Sequence, residues 1–79
     1  MAPLPKLPVV SGRETIRALL RAGFVVLEQT GSHVTMSHPA TGGRATVPSH
    51  GGRDLPTGTL RAILRGAKLT ADEFRGLLQ

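Results

Sequence analysis

Residues 33–38 read H-V-T-M-S-H, an apolar/polar alternation of period two, with Gly31 before it and Gly42-Gly43 after it. A run this short and regular fits a β-strand with one dry face and one wet face. Val34 and Met36 fall on the dry side, and His33, Thr35 and Ser37 on the wet one. Such a strand needs neighbours. F-V-V-L-E-Q at Phe24–Gln29 is rich in β-branched and aromatic residues and supplies one, joined through Thr30-Gly31. Arg44–Val47 supplies the other across a Pro39–Gly43 hairpin loop, with Ala45 and Val47 inward and Arg44 and Thr46 outward. The result is a three-stranded antiparallel meander with one apolar face that must be covered.

Two flanking segments have the period to cover it. Ile16, Leu19 and Leu20 recur at i, i+3, i+4 within a helix expected over Gly12–Ala22, opened by the capping-box pair Ser11 and Glu14 and closed by Gly23. Leu60, Ile63, Leu64 and Ala67 make the same stripe in a second helix over Thr57–Gly66. Thr70 and Glu73 repeat the capping box before a short third helix carrying Phe74, Leu77 and Leu78. The expected fold is α+β, ordered α-β-β-β-α plus a short C-terminal helix. Residues 11–79 would form one domain, behind a Pro-rich extended lead-in over residues 1–10. The first strand does not alternate cleanly. One of its sets, Phe24/Val26 or Val25/Leu27, should stay partly uncovered, as a partner surface would.

Composition narrows the function. The chain has 79 residues and no cysteine, so neither a disulfide nor a thiolate zinc site can reinforce it. Packing alone, or a partner, must hold it. The absence also suits a reducing compartment, and we expect a cytoplasmic protein. No stretch is long enough for a transmembrane helix, and the N-terminus lacks the apolar centre of a signal peptide. Ten Lys and Arg against five acids leave a net charge of +5, and nine of the ten cations lie beyond the Pro-rich start. A polyanion is the partner such a charge suits, nucleic acid first. No Tyr or Trp is present to stack on bases, which favours recognition of shape and backbone.

Few side chains can do chemistry, and the histidines lead. His33 and His38 are five apart, so a regular strand puts them on opposite faces, where they cannot share an ion. We expect no metal site and no cofactor. His33 follows a glycine turn and shares its face with Thr35 and Arg44, which the meander makes a neighbour. Imidazole can give and take a proton near neutral pH. RNA brings its own nucleophile, the 2′-hydroxyl, so a histidine could deprotonate it or protonate the leaving 5′-oxygen, with an arginine stabilising the pentacoordinate phosphate. Phosphate has a second candidate site in H-G-G-R-D-L-P-T-G-T, where free N–H groups, Thr57 and Thr59 open the second helix and Asp54 is a possible cap. Arg13, Arg17 and Arg21 form one basic stripe, and Arg61 and Arg65 another.

Taken together, L-P-V-V-S-G-R-E, R-A-G-F, G-S-H-V-T-M-S-H-P and V-P-S-H-G-G-R-D-L-P-T-G-T-L-R-A-I-L resemble the HicA-type (YcfA-like) mRNA interferase toxins of type II toxin–antitoxin systems. The resemblance spans about Leu7–Phe74. It implies a fold like that of double-stranded RNA-binding domains, ribosome-independent cleavage of mRNA, and a HicB-type antitoxin that covers the active site, with higher-order toxin–antitoxin complexes. It implies that His33, the histidine of G-S-H, is catalytic. Gly31, Ser32 and Arg44 are expected to support it. His38, His50, Arg53, Thr57, Thr59, Arg61 and Arg65 are the expected RNA contacts. Leu55-Pro56-Thr57 stand where relatives often carry lysine, with Arg53 the nearest compensating charge. Two rival readings share these residues: a double-stranded RNA-binding module without catalysis, and a small protein that binds only other proteins through its first strand.

Overall fold

The computed structural model describes residues 7–78. The elements run α1 (Gly12–Arg21), β1 (Val25–Thr30), β2 (His33–Ser37), β3 (Arg44–Pro48), α2 (Thr57–Ala67) and α3 (Ala71–Leu77). The strands form one antiparallel sheet in the order β1-β2-β3. This is the expected α+β layout, with each boundary within a residue or two of the periodicity. Of the expected lead-in, residues 1–6 lie outside the described residues.

Each helix begins where its cap dictates. Ser11 accepts from the backbone of Glu14, and Glu14 returns a bond to the backbone of Ser11, closing the capping box of α1. Thr70 and Glu73 do the same for α3. The start of α2 differs from the expectation. Asp54 does not cap it: the N-cap is Pro56, no side chain caps the helix, and its first turn holds no acid. Asp54 instead forms a backbone bridge with Ser11, next to a 2.7 Å bond from Leu55 N–H to the Val10 carbonyl. That strap ties the segment before α1 to the segment before α2.

Two apolar clusters result. Val34, Met36, Ala45 and Val47 from the dry face of the sheet meet Leu19, Phe24, Ile63 and Ala67. Val10, Ala18, Leu60 and Leu64 close around Phe74, which α3 inserts fully buried. Gly66 has a packing role. A Cβ there would run into the Arg44 carbonyl oxygen, so α2 lies against β3 at a distance only glycine permits.

β1 departs from the expectation. Its pairing with β2 shifts register between Val26 and Glu28, so Leu27 is the extra residue of a β-bulge. Phe24, just before the strand, is buried, whereas Val25, Val26 and Leu27 are 44–51% exposed. The Val25/Leu27 set is half exposed, and of the other set Phe24 is covered while Val26 is not, because the core is built on β2 and β3 and the bulged edge runs past it. Leu20, expected in the core stripe, is also half exposed.

Two predictions follow from these caps and contacts. Glycine-to-alanine in a helix ordinarily stabilises by up to about 1 kcal/mol. Gly66→Ala should instead destabilise by about 1–3 kcal/mol, the usual cost of overpacking, as measured by urea unfolding. The backbone and hydroxyl bonds from Thr70 hold Glu73 below its ordinary value of 4.5. A depressed carboxyl contributes stability above its unfolded value and loses it as pH falls through the folded one. Acid titration below about pH 4.5 should therefore loosen α3 in the wild type, and Glu73→Gln should remove that part of the pH dependence.

Candidate functional site: a histidine cleft beside the sheet

Across the β2–β3 ladder His33 pairs with Pro48, Val34 with Val47, Thr35 with Thr46, Met36 with Ala45 and Ser37 with Arg44. Directly opposed residues share a face. His33, Thr35, Ser37, Arg44 and Thr46 therefore do share the face away from the helices, and the Thr35 and Thr46 hydroxyls meet at 3.2 Å. Arg44 is not the neighbour of His33, however. The register sets it four pairs along, roughly 13 Å away at the rise of a strand.

His50 takes that neighbouring place. The ladder continues one bond beyond the strands, Ser49 N–H to the Ser32 carbonyl at 2.7 Å. The chain then turns, with the Arg53 N–H donating to the His50 carbonyl at 3.2 Å. As a result the His50 ring stands edge-on to His33, with centroids 6.2 Å apart and planes at 89°. Both rings are exposed. His50 lines a cleft of about 550 Å³ together with Pro48, Arg53, Asp54, Leu55, Pro56 and Thr59. That volume admits a nucleotide-sized group. Thr59 also lines a second groove between β3 and α2, with Arg44, Thr46, Gly58 and Ala62. Two hollows that share Thr59 thus lie between His50 and Arg44, beside the open N-terminus of α2.

Gly31 has a φ of 59°, and a Cβ on it would meet nothing within 4 Å. The turn before His33 needs glycine for its backbone conformation, not for room. Ser32 is half-buried, its carbonyl used by Ser49. Thr57 opens α2 between Pro56 and Gly58, which line one hollow each. Arg61 and Arg65 are exposed a turn apart on α2, outside the lining of both. On α1 the basic stripe is partly engaged, since Arg21 donates to the Leu77 carbonyl at 2.8 Å at the end of α3. No cluster of three or more metal-ligating side chains occurs among the described residues.

His38 lies apart from this site. Its Nε2 donates to the Ala22 carbonyl at 3.0 Å, and its Nδ1 accepts from the N–H groups of Ala40 and Thr41 at 3.1 and 3.2 Å. That assigns the tautomer with the proton on Nε2. The ring also stands edge-on to Phe24 at 5.2 Å. It pins the β2–β3 hairpin to the end of α1, and an RNA contact through either nitrogen would break one of these bonds.

The sheet with helices on one face, the exposed imidazoles and the two hollows beside the N-terminus of α2 define a small α+β protein. The family model for the HicA toxin of bacterial toxin–antitoxin systems matches residues 12–69, which include every strand, α1, α2 and both His33 and His50. The chain belongs to that family: it is the toxin of a toxin–antitoxin pair, and an antitoxin is its partner. None of the curated proteins searched matches it.

Because three bonds converge on one half-buried ring, His38→Ala should destabilise the fold by about 1–3 kcal/mol in denaturant unfolding.

Proposed function

We propose that this toxin is an endoribonuclease that cleaves mRNA without a metal, with His33 as a catalytic acid–base group. The observation that carries the reading is an exposed imidazole on the polar face of the sheet, in ring contact with His50, which lines a hollow that also holds Arg53. RNA supplies the nucleophile. A proton leaves the 2′-hydroxyl, O2′ bonds to phosphorus, and the bond from phosphorus to O5′ breaks. The products are a 2′,3′-cyclic phosphate and a 5′-hydroxyl, with no water consumed. His33 performs proton transfer in this step. Arg53 and the uncapped N–H groups of α2 offset the charge that builds on the phosphorane oxygens. Thr59 and Arg44 extend the contact along the backbone, and Arg61 and Arg65 add charge farther out.

A HicB-type antitoxin that covers the histidine cleft would silence this activity, in line with family membership. A target in mRNA places the action in the cytoplasm. A binding module without catalysis would use the same hollows but would have no need of an imidazole in place of any other hydrogen-bonding side chain.

The test is to incubate purified wild type and His33→Ala with a defined RNA in EDTA and to map fragment ends. Wild type should leave cyclic phosphate ends. His33→Ala should be slower by about 10²–10⁴-fold and should no longer arrest growth, while unfolding at the wild-type midpoint. Arrest by the variant at equal expression would refute the assignment, and RNA bound but intact with both proteins would leave a binding module.

A further inference from the structure

We propose that His50 is the second proton-transfer group, so that cleavage runs on a histidine pair. This rests on the nuclease reading and deepens it. In the in-line step the attacking O2′ and the departing O5′ stand on opposite sides of phosphorus. One oxygen must lose a proton while the other gains one. A single ring hydrogen-bonded to O2′, at roughly 2.6–3.2 Å, cannot at the same time hold O5′ across the phosphorane. Two rings can.

His33 and His50 are placed for that division. Their centroids are 6.2 Å apart and their planes nearly perpendicular, so two imidazoles in differing orientations stand within reach of one phosphodiester, one of them lining the cleft. Their placement comes from backbone bonds: Ser49 to Ser32 holds the two segments together, and Arg53 to His50 fixes the following turn. His50 has no side-chain hydrogen bond within the protein among those described, and it belongs to neither apolar cluster. His33 faces it from β2, Arg53 and Asp54 line the same cleft from its own loop, and α2 contributes the uncharged Thr59.

The balanced step has one neutral imidazole take the proton of the 2′-hydroxyl as the O2′–P bond forms. The other, an imidazolium, gives its proton to O5′ as the P–O5′ bond breaks. The pair ends with its protons exchanged, and transfer through water resets it.

The experiment compares wild type, His33→Gln and His50→Gln, as purified full-length chains, on two RNAs. One carries the natural 5′-oxygen at the scissile bond, and the other a bridging sulfur there. Glutamine keeps a hydrogen-bonding side chain but cannot shuttle a proton, so a mere RNA contact would be largely preserved. The pair predicts a bell-shaped pH–rate profile for wild type, and loss of one limb in His50→Gln with a fall of about 10²–10⁴-fold. A thiolate leaves without a general acid, so sulfur should rescue one of the two variants and not the other, and the rescued one identifies the acid. Unchanged thermal unfolding of His50→Gln excludes loss of fold as the cause. If wild type cleaves and His50→Gln keeps both limbs, or sulfur fails to separate the two variants, the pair is overturned and the single-histidine reading stands. If wild type cleaves neither RNA at any pH, the nuclease reading falls and the pair with it.

Discussion

The register between β2 and β3 is the constraint from which the rest follows. It is set at the end of the hairpin far from the site. There the His38 and Gly43 backbones bond at 2.8 Å, the His38 ring collects the N–H groups of Ala40 and Thr41, and Lys68 from the end of α2 reaches the Thr41 carbonyl at 2.9 Å. With that end fixed, a strand has no freedom left at the other. A slip of one residue would turn Val34, Met36, Ala45 and Val47 into water and His33 into the core. Dry-face burial and hairpin geometry therefore select the same register, and it brings His33 opposite Pro48 with His50 two residues beyond.

Much of this was legible in the residues because it depends on local rules. The two capping boxes are carried by residues three apart, and both form. Period two in H-V-T-M-S and period 3.6 in the segment around Leu60–Ala67 mark faces that are buried as expected. The part that was not legible depends on separation in space. Arg44 and His33 share a face, and a face says nothing of distance along it. Counting pairs across the hairpin would have found the error, and would have found His50 through the V-P-S-H spacing. The bulge at Leu27 and the exposure of β1 follow from where helices end relative to sheet edges, which no short pattern encodes. The uncapped start of α2 was missed for a related reason: Asp54 has the right chemistry, but Ser11 holds its backbone in a bridge.

The three histidines show how context divides one residue type between tasks. His38 is surrounded by main-chain partners at the hairpin base, and all its hydrogen-bonding capacity goes into holding the fold. His33 and His50 are exposed and stand edge-on to each other, with His50 lining the cleft. Sequence reading set His33 apart as the acid–base candidate but left His38 among the RNA contacts. The structure separates them by what their nitrogens touch.

Because His33 and His50 lie outside both apolar clusters, the proposed chemistry and the folding draw on different atoms. On the reading proposed above, a copy that loses one of these imidazoles keeps its shape and most of its surface, and with them its capacity to occupy an antitoxin molecule. In a cell holding both versions, the disarmed copy competes for the inhibitor and leaves more of the intact toxin unrestrained. Inactivating mutations at such a site are therefore not silent while a working copy remains. Their dosage matters, and they act in the direction opposite to a simple loss of function.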